Sequence, residues 1–102
     1  MVIAVGLIET RGIMIDKKTA TGLKVNLEDA PLLLIIAPKG YVMCGYLNLE
    51  TAEKLGQVAV IVTGVKGFDD MLNAKVMKTT AKARALGISE GMFGRDALKH
   101  MF

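Results

Sequence analysis

Lys39-Gly40-Tyr41-Val42-Met43-Cys44-Gly45-Tyr46-Leu47-Asn48 is the stretch on which the fold turns: a reversal, a short strand holding the single cysteine, and a helix cap. Pro38-Lys39-Gly40 redirects the chain into a strand over Tyr41 to Tyr46. Period-2 alternation puts Val42, Cys44 and Tyr46 on one face and Tyr41, Met43 and Gly45 on the other. Asn48 then caps a helix, Leu49 to Leu55, whose acids lie in the early turns and whose end is marked by Gly56. The chain therefore changes character here, from sheet before the stretch to helices and one further strand behind it.

Working upstream, Leu32 to Ala37 is a continuous apolar run bounded by Pro31 and Pro38, the pattern of a central strand covered on both faces. Before it, Leu23, Val25 and Leu27 alternate with Lys24, Asn26 and Glu28, which predicts a strand with the leucines and valine buried and the polar set wet. Asp16 to Thr21 is polar and reads as a loop. Val2 to Glu9 is apolar at both alternating sets and predicts a strand covered on both sides. Glu9-Thr10-Arg11-Gly12 reads as a turn into a second short strand, Ile13 to Ile15, so residues 1–16 form an N-terminal hairpin.

Downstream, Val58 to Thr63 is a β-branched strand, and Gly64-Val65-Lys66-Gly67 leads into a brief helix, Phe68 to Leu72. Thr79 or Thr80 caps Ala81 to Leu86, closed by Gly87, and Gly91-Met92-Phe93-Gly94 opens a last helix, Arg95 to Met101. The pattern shows no internal repeat and no interdomain linker, so residues 1–102 are expected to be one domain.

A chain of 102 residues buries only about 60 to 70% of its unfolded surface. With 52% hydrophobic and 23% charged residues and a mean hydropathy of +0.42, it carries more apolar side chain than a small monomer hides. The surplus points to contacts between copies. The best apolar runs, Met1 to Ile8 and Ala30 to Ala37, fall well short of the roughly 18 residues of a membrane span. The start lacks a basic leader, and one cysteine allows no internal disulfide, so a cytoplasmic protein is expected. Net charge is +3, but the cations are scattered among acids and aromatic residues are few, which disfavours nucleic acid.

Cys44, at a strand end before a helix start, has the placement of an activated thiol, and Gly45 lets a ligand approach. Against this, a lone cysteine most often serves as a small core hydrophobe, and a nucleophile requires a base. His100, the single histidine, sits in a last helical turn where it meets terminal carbonyls or solvent. One cysteine and one histidine are too few to hold zinc within one chain, so neither a metal nor another cofactor is expected. Gly64 to Gly67 occupies a position where amides cradle anions. Yet Asp69 and Asp70 follow at once and no P-loop pattern is present, so a plain turn is favoured. Gly91 to Gly94 resembles the GXXG loop of KH domains, but its apolar middle pair fits a tight turn plugged into the core.

Lys39 to Asn48 and Leu86-Gly-Ile-Ser-Glu-Gly-Met-Phe-Gly-Arg-Asp-Ala-Leu98 together resemble the YunC-like family of small bacterial and archaeal proteins, a domain of unknown function. The resemblance covers nearly the whole chain, with Phe68-Asp-Asp-Met-Leu72 in the matching order between them. It implies an α+β domain whose N-terminal β hairpin takes part in assembling an oligomer, a tetramer, with no established activity. Family members often have a small residue after the Cys-Gly pair, where this chain has Tyr46.

The expectation is thus an α+β fold: an antiparallel β meander with an oligomerising hairpin, then short helices and one further strand. Its leading function is a homo-oligomeric domain binding a small molecule or protein near Cys44. The expected pocket lies between Cys44 and Gly45, the cap at Asn48 and the loop carrying Gly91, Gly94 and Arg95. The alternative is an enzyme using Cys44 as nucleophile or redox thiol, with Lys39, Tyr41 or Arg95 stabilising an anion.

Overall fold

A computed structural model describes the backbone of residues 2–5 and 7–102 and the side chains from Leu7 onward. Among the described residues, seven strands form one sheet in chain order: β1 (Val2–Val5), β2 (Ile8–Ile15), β3 (Lys18–Asn26), β4 (Pro31–Ala37), β5 (Gly40–Met43), β6 (Ala59–Ile61) and β7 (Lys78–Thr79). Every neighbouring pair is antiparallel except β5 and β6, which run parallel. Four short helices complete the α+β fold: α1 (Leu49–Lys54), α2 (Phe68–Asn73), α3 (Ala81–Ala85) and α4 (Gly94–Lys99).

The first hairpin forms, but its turn includes Leu7 and lies before Ile8 rather than at Glu9 to Gly12. Glu9 to Gly12 runs straight as strand because β3 supplies partners along it, from Glu9↔Lys24 to Gly12↔Thr21. The side chains behind the predicted two-sided burial of residues 2–6 lie outside the described set. The expected loop at Asp16 to Thr21 shrinks to a turn at Asp16 and Lys17, with Asp16 at φ 57. A two-residue hairpin turn favours that left-handed geometry, and the β-branched Thr19 and Thr21 suit the strand that follows.

The burial expected for β3 is reversed. Ala20 and Gly22 face the main core, where a Cβ on Gly22 would come within 2.7 Å of the Phe68 ring. Leu23 and Val25 lie on the other face and are only half-buried, and Leu27 falls beyond the strand and is exposed. Register explains the reversal, since Leu23 pairs with Leu34, on the face opposite Leu33 and Ile35, and Val25 pairs with Leu32, at the strand end where Leu32 also reaches the main core. β4 is accordingly covered fully on one side and partly on the other: Leu33, Ile35 and Ala37 are buried, while Leu34 is half-buried and Ile36 is 43% exposed.

Two cores result. The larger joins Ile13, Leu33, Ile35, Val42 and Val60 of the sheet to Phe68, Met71, Ala83, Leu98 and Met101 from α2, α3, α4 and their connections. The smaller, on the outer face, packs Ala52 of α1 on Met43 and Ala59. The predicted strand at Tyr41 to Tyr46 ends at Met43, so Cys44 continues it and Tyr46 lies in a turn. β7 is an addition to the expected elements; it pairs Thr79 with Val60 and Lys78 with Ile61.

Candidate functional site

β5 and β6 are joined through α1, and their carboxyl ends lie side by side. From there the connections part: β5 leads to α1 on the outer face, whereas β6 leads to α2 on the main-core face. Where adjacent parallel strands send their connections to opposite faces, a crevice opens outside the strand ends. Here it is a cavity of about 360 Å³ bounded by Cys44, Gly45 and Tyr46 just after β5, by Gly64, Val65 and Lys66 after β6, and by Ala30 and Pro31 at the start of β4.

Glycine keeps this mouth open. A Cβ on Gly45 would find its nearest neighbour, Thr63 Cγ2, only at 3.8 Å, and Gly64 has a positive φ of 70° with nothing within 4 Å of a Cβ. Tyr46 forms the wall. Its hydroxyl donates to the carbonyl of Ala30 at 3.4 Å, and Tyr46 also lines a hollow of about 540 Å³ at the start of α1. That second hollow is bounded by Asn48, Glu50, Glu53, Lys78 and Thr80, among others.

Cys44 is 3% exposed. Its amide donates to Leu33 O at 3.1 Å, and its Sγ accepts from Leu33 N at 3.2 Å, so the side chain completes the β4–β5 ladder one residue beyond the strand. The thiol thus borders the crevice as part of its floor and is already engaged. His100 gives it no base: Met101 O accepts from Lys39 N at the other end of β5, and five extended residues separate Lys39 from Cys44 by roughly 16 Å. Among the described residues, no group of three His, Cys, Asp or Glu forms a metal-sized cluster.

The other sequence-derived candidates are dispersed. Lys39 is exposed in the turn opposite the crevice. Tyr41 lies on the outer face, its hydroxyl donating to Gln57 Oε1 at 2.6 Å, and burial pushes its phenol above the usual tyrosine value. Asn48 caps α1, accepting from the amides of Glu50 and Thr51 at 2.8 and 3.3 Å. Gly91, Gly94 and Arg95 line neither the crevice nor the two hollows that touch Asn48. Their loop is tied instead to the chain beside β6, through Val76 N to Met92 O and Gly91 N to Val76 O. Gly91 has φ 91, Gly94 is held against Met71 O, and Arg95 is exposed. Met92 packs against the core as expected, but Phe93 remains about half exposed.

The crevice therefore unites Cys44 and Gly45 with Ala30 and Pro31 and with Gly64 to Lys66, part of the segment that the sequence reads as a plain turn. The signal for them is the strand-helix-strand order of Tyr41 to Thr63. It becomes informative once β5 and β6 are known to be parallel neighbours.

Among the described residues, no helix is long and apolar enough to cross a membrane. The model of the domain of unknown function DUF1805 matches residues 43–101, which contain α1 to α4, β6, β7 and all of the crevice except Ala30 and Pro31. The uncharacterised protein YunC of Bacillus subtilis is 36% identical over 93 residues, spanning 87% of this chain and 92% of that protein. The crystal structure of a protein of unknown function from Thermoplasma acidophilum superposes with a TM-score of 0.90 at 42% identity, over 98% of this chain and 99% of that one. With the family's own domain covering more than half of the chain and a relative matched almost end to end, this protein belongs to the YunC-like family of unknown function.

Proposed function

We propose that the chain is a cytoplasmic, homo-oligomeric domain that binds a small molecule in the crevice between the ends of β5 and β6. The observation that carries the binding reading is the divergence of the two connections. It leaves a cavity of about 360 Å³ whose rim is glycine on both sides, within the size range of small-ligand sites, about 300 to 1,000 Å³. The walls at Pro31, Tyr46 and Val65 are largely apolar and Lys66 is the one charged residue lining it, which suits a compact apolar ligand.

Gly45→Leu tests this directly. Position 45 has room for a Cβ, so the substitution fills the crevice while leaving the strands intact. In a fragment screen read by NMR, fragments that shift residues 44–46 and 64–66 of the wild type are expected to be lost in the variant. Fragments that bind only elsewhere, or equally to both proteins, would sink the assignment.

Assembly rests on the outer face of the sheet. From β2 to β6 it presents Ile8, Thr10, Gly12 and Met14, then Thr19, Thr21, Leu23 and Val25, then Leu32, Leu34 and Ile36, ending in Tyr41, Met43, Ala59 and Ile61. None of these is charged. The charges of β2 and β3, namely Glu9, Arg11, Lys18 and Lys24, all fall on the opposite face. α1 covers only the β5–β6 end, and Ile8 and Met14 are 49% and 61% exposed. An uncharged apolar sheet face of this extent is expected to be covered by another copy. β1 ends the strand order and offers a second, edge-on surface. Two different self-complementary contacts generate a tetramer.

A further inference from the structure

Lysines gather at one end of the sheet. The turns after β2 and β4 lie at the end remote from the crevice, because β2 and β4 run the same way in an antiparallel array. Lys17 lies in the first of these turns, Lys18 opens β3 beside it, Lys39 lies in the second turn, and α4 ends there with Lys99. Lys39 N donates to Met101 O at 2.7 Å, which holds the C-terminal segment against this rim. A cavity of about 290 Å³ opens between the first turn and that segment, bounded by Ile15, Asp16, Lys17, Lys18, Lys99 and Phe102.

We propose that this cavity binds a small, multiply charged anion of the di- or triphosphate class. Three of its six lining residues are lysines, and among the described residues Lys17, Lys18 and Lys39 pair with no carboxylate. The ammonium of Lys18 sits 5.7 Å from the centre of the Phe102 ring. Lys99 reaches Asp96 at 3.6 Å, but both side chains are more than two-fifths exposed, so the pair yields readily to a stronger anion. Asp16 is the one acidic side chain in the lining, and in the 102-residue chain Phe102 adds its α-carboxylate. The place of Asp16 follows from the turn, which requires the φ of 57° that Asp tolerates better than most residues.

Clustered cations around a concave, partly apolar wall focus positive potential, and a multivalent anion relieves their mutual repulsion in a way that chloride does not. The cavity is too small for a nucleic acid groove, and Phe102 is the only aromatic residue lining it. A compact polyanion fits both facts.

The experiment is an NMR titration of the intact chain with sodium pyrophosphate, at ionic strength held constant with sodium chloride. Saturable shifts are expected at residues 15–18 and 99–102. The Lys17→Ala/Lys18→Ala double variant is expected to bind at least about tenfold more weakly, having lost two charge-assisted contacts. The Arg-for-Lys double variant should retain binding, which separates loss of charge from loss of fold. Lys24→Ala, which removes a lysine from a different cavity, should bind as the wild type does. Absence of saturable shifts at millimolar pyrophosphate, or an equal loss in Lys24→Ala, overturns the proposal.

Discussion

At Gly94 the backbones of α4 and α2 meet so closely that a Cβ would run into the carbonyl oxygen of Met71. A main-chain oxygen moves only with its helix, so Gly94→Ala forces the two helices apart. Overpacking of this kind costs about 1 to 3 kcal/mol, and the upper end applies because the obstacle is backbone. Thermal denaturation is expected to show a fall in Tm of roughly 10 °C or more for a chain of this size. An unchanged Tm would mean that α2 and α4 do not cross as described. Gly91, by contrast, matters for its positive φ rather than for space.

Tyr41 offers a titration. Burial raises its phenol above the ordinary value near 10, and its hydroxyl donates to Gln57 Oε1. The folded state therefore favours the protonated form. Its contribution to stability is complete below the unfolded-state value and is lost as pH rises through the higher folded-state value. Absorbance at the tyrosinate band is expected to show an ionisation later than that of a free tyrosine. That component should be missing in Tyr41→Phe; its persistence there would assign the shift to another residue.

Among the elements, the joints around α1 and α3 rest on two caps of unequal weight. Asn48 is exposed and supplies two amide contacts to α1, so Asn48→Ala should cost about 1 kcal/mol. Thr80 is buried, donates to Gln57 O at 2.7 Å and accepts from the amides of Ala59 and Ala83. Thr80→Val leaves buried groups of β6 and its approach unpaired and should cost about 2 to 3 kcal/mol. Urea unfolding that ranked the two in the reverse order would contradict this account of how α3 is fastened to β6.

Both caps were readable from sequence because capping is local: a side chain, three following amides and a glycine at the far end. The positive φ values at Gly56 and Gly87 close α1 and α3 as that reading requires. The turn at Glu9 to Gly12 was misread because Gly12 needs no special geometry when β3 lies alongside. β7 was invisible because two residues carry no period. The crevice was half legible. Cys44 and Gly45 stood out by composition, but Gly64 to Lys66 joins them only through the parallel pairing of β5 and β6, a contact between distant parts of the chain. The Gly91 to Arg95 loop shares the trait of opening a helix, yet packing ties it to Val76.

For the molecule as a whole, the alternation of Leu23, Val25 and Leu27 carries a second lesson. Sequence assigned Leu23 and Val25 to a buried face, while the chain leaves them half-buried beside Leu32 and Leu34. The two statements agree if the face is buried by a second copy. On this account the pattern in β3 was written for the assembly and the charges of Glu9, Arg11, Lys18 and Lys24 were kept off the shared surface. Leu34 lies near the centre of that face, paired with Leu23 on one side and Met43 on the other. Leu34→Lys would place a charge there without touching the main core.

Static light scattering of wild type and Leu34→Lys at the same micromolar concentration tests this most directly. The wild type is expected to show a mass several times the 10.9 kDa of one chain, and the variant a marked drop toward that value. A wild-type protein that scatters as a monodisperse monomer would contradict it.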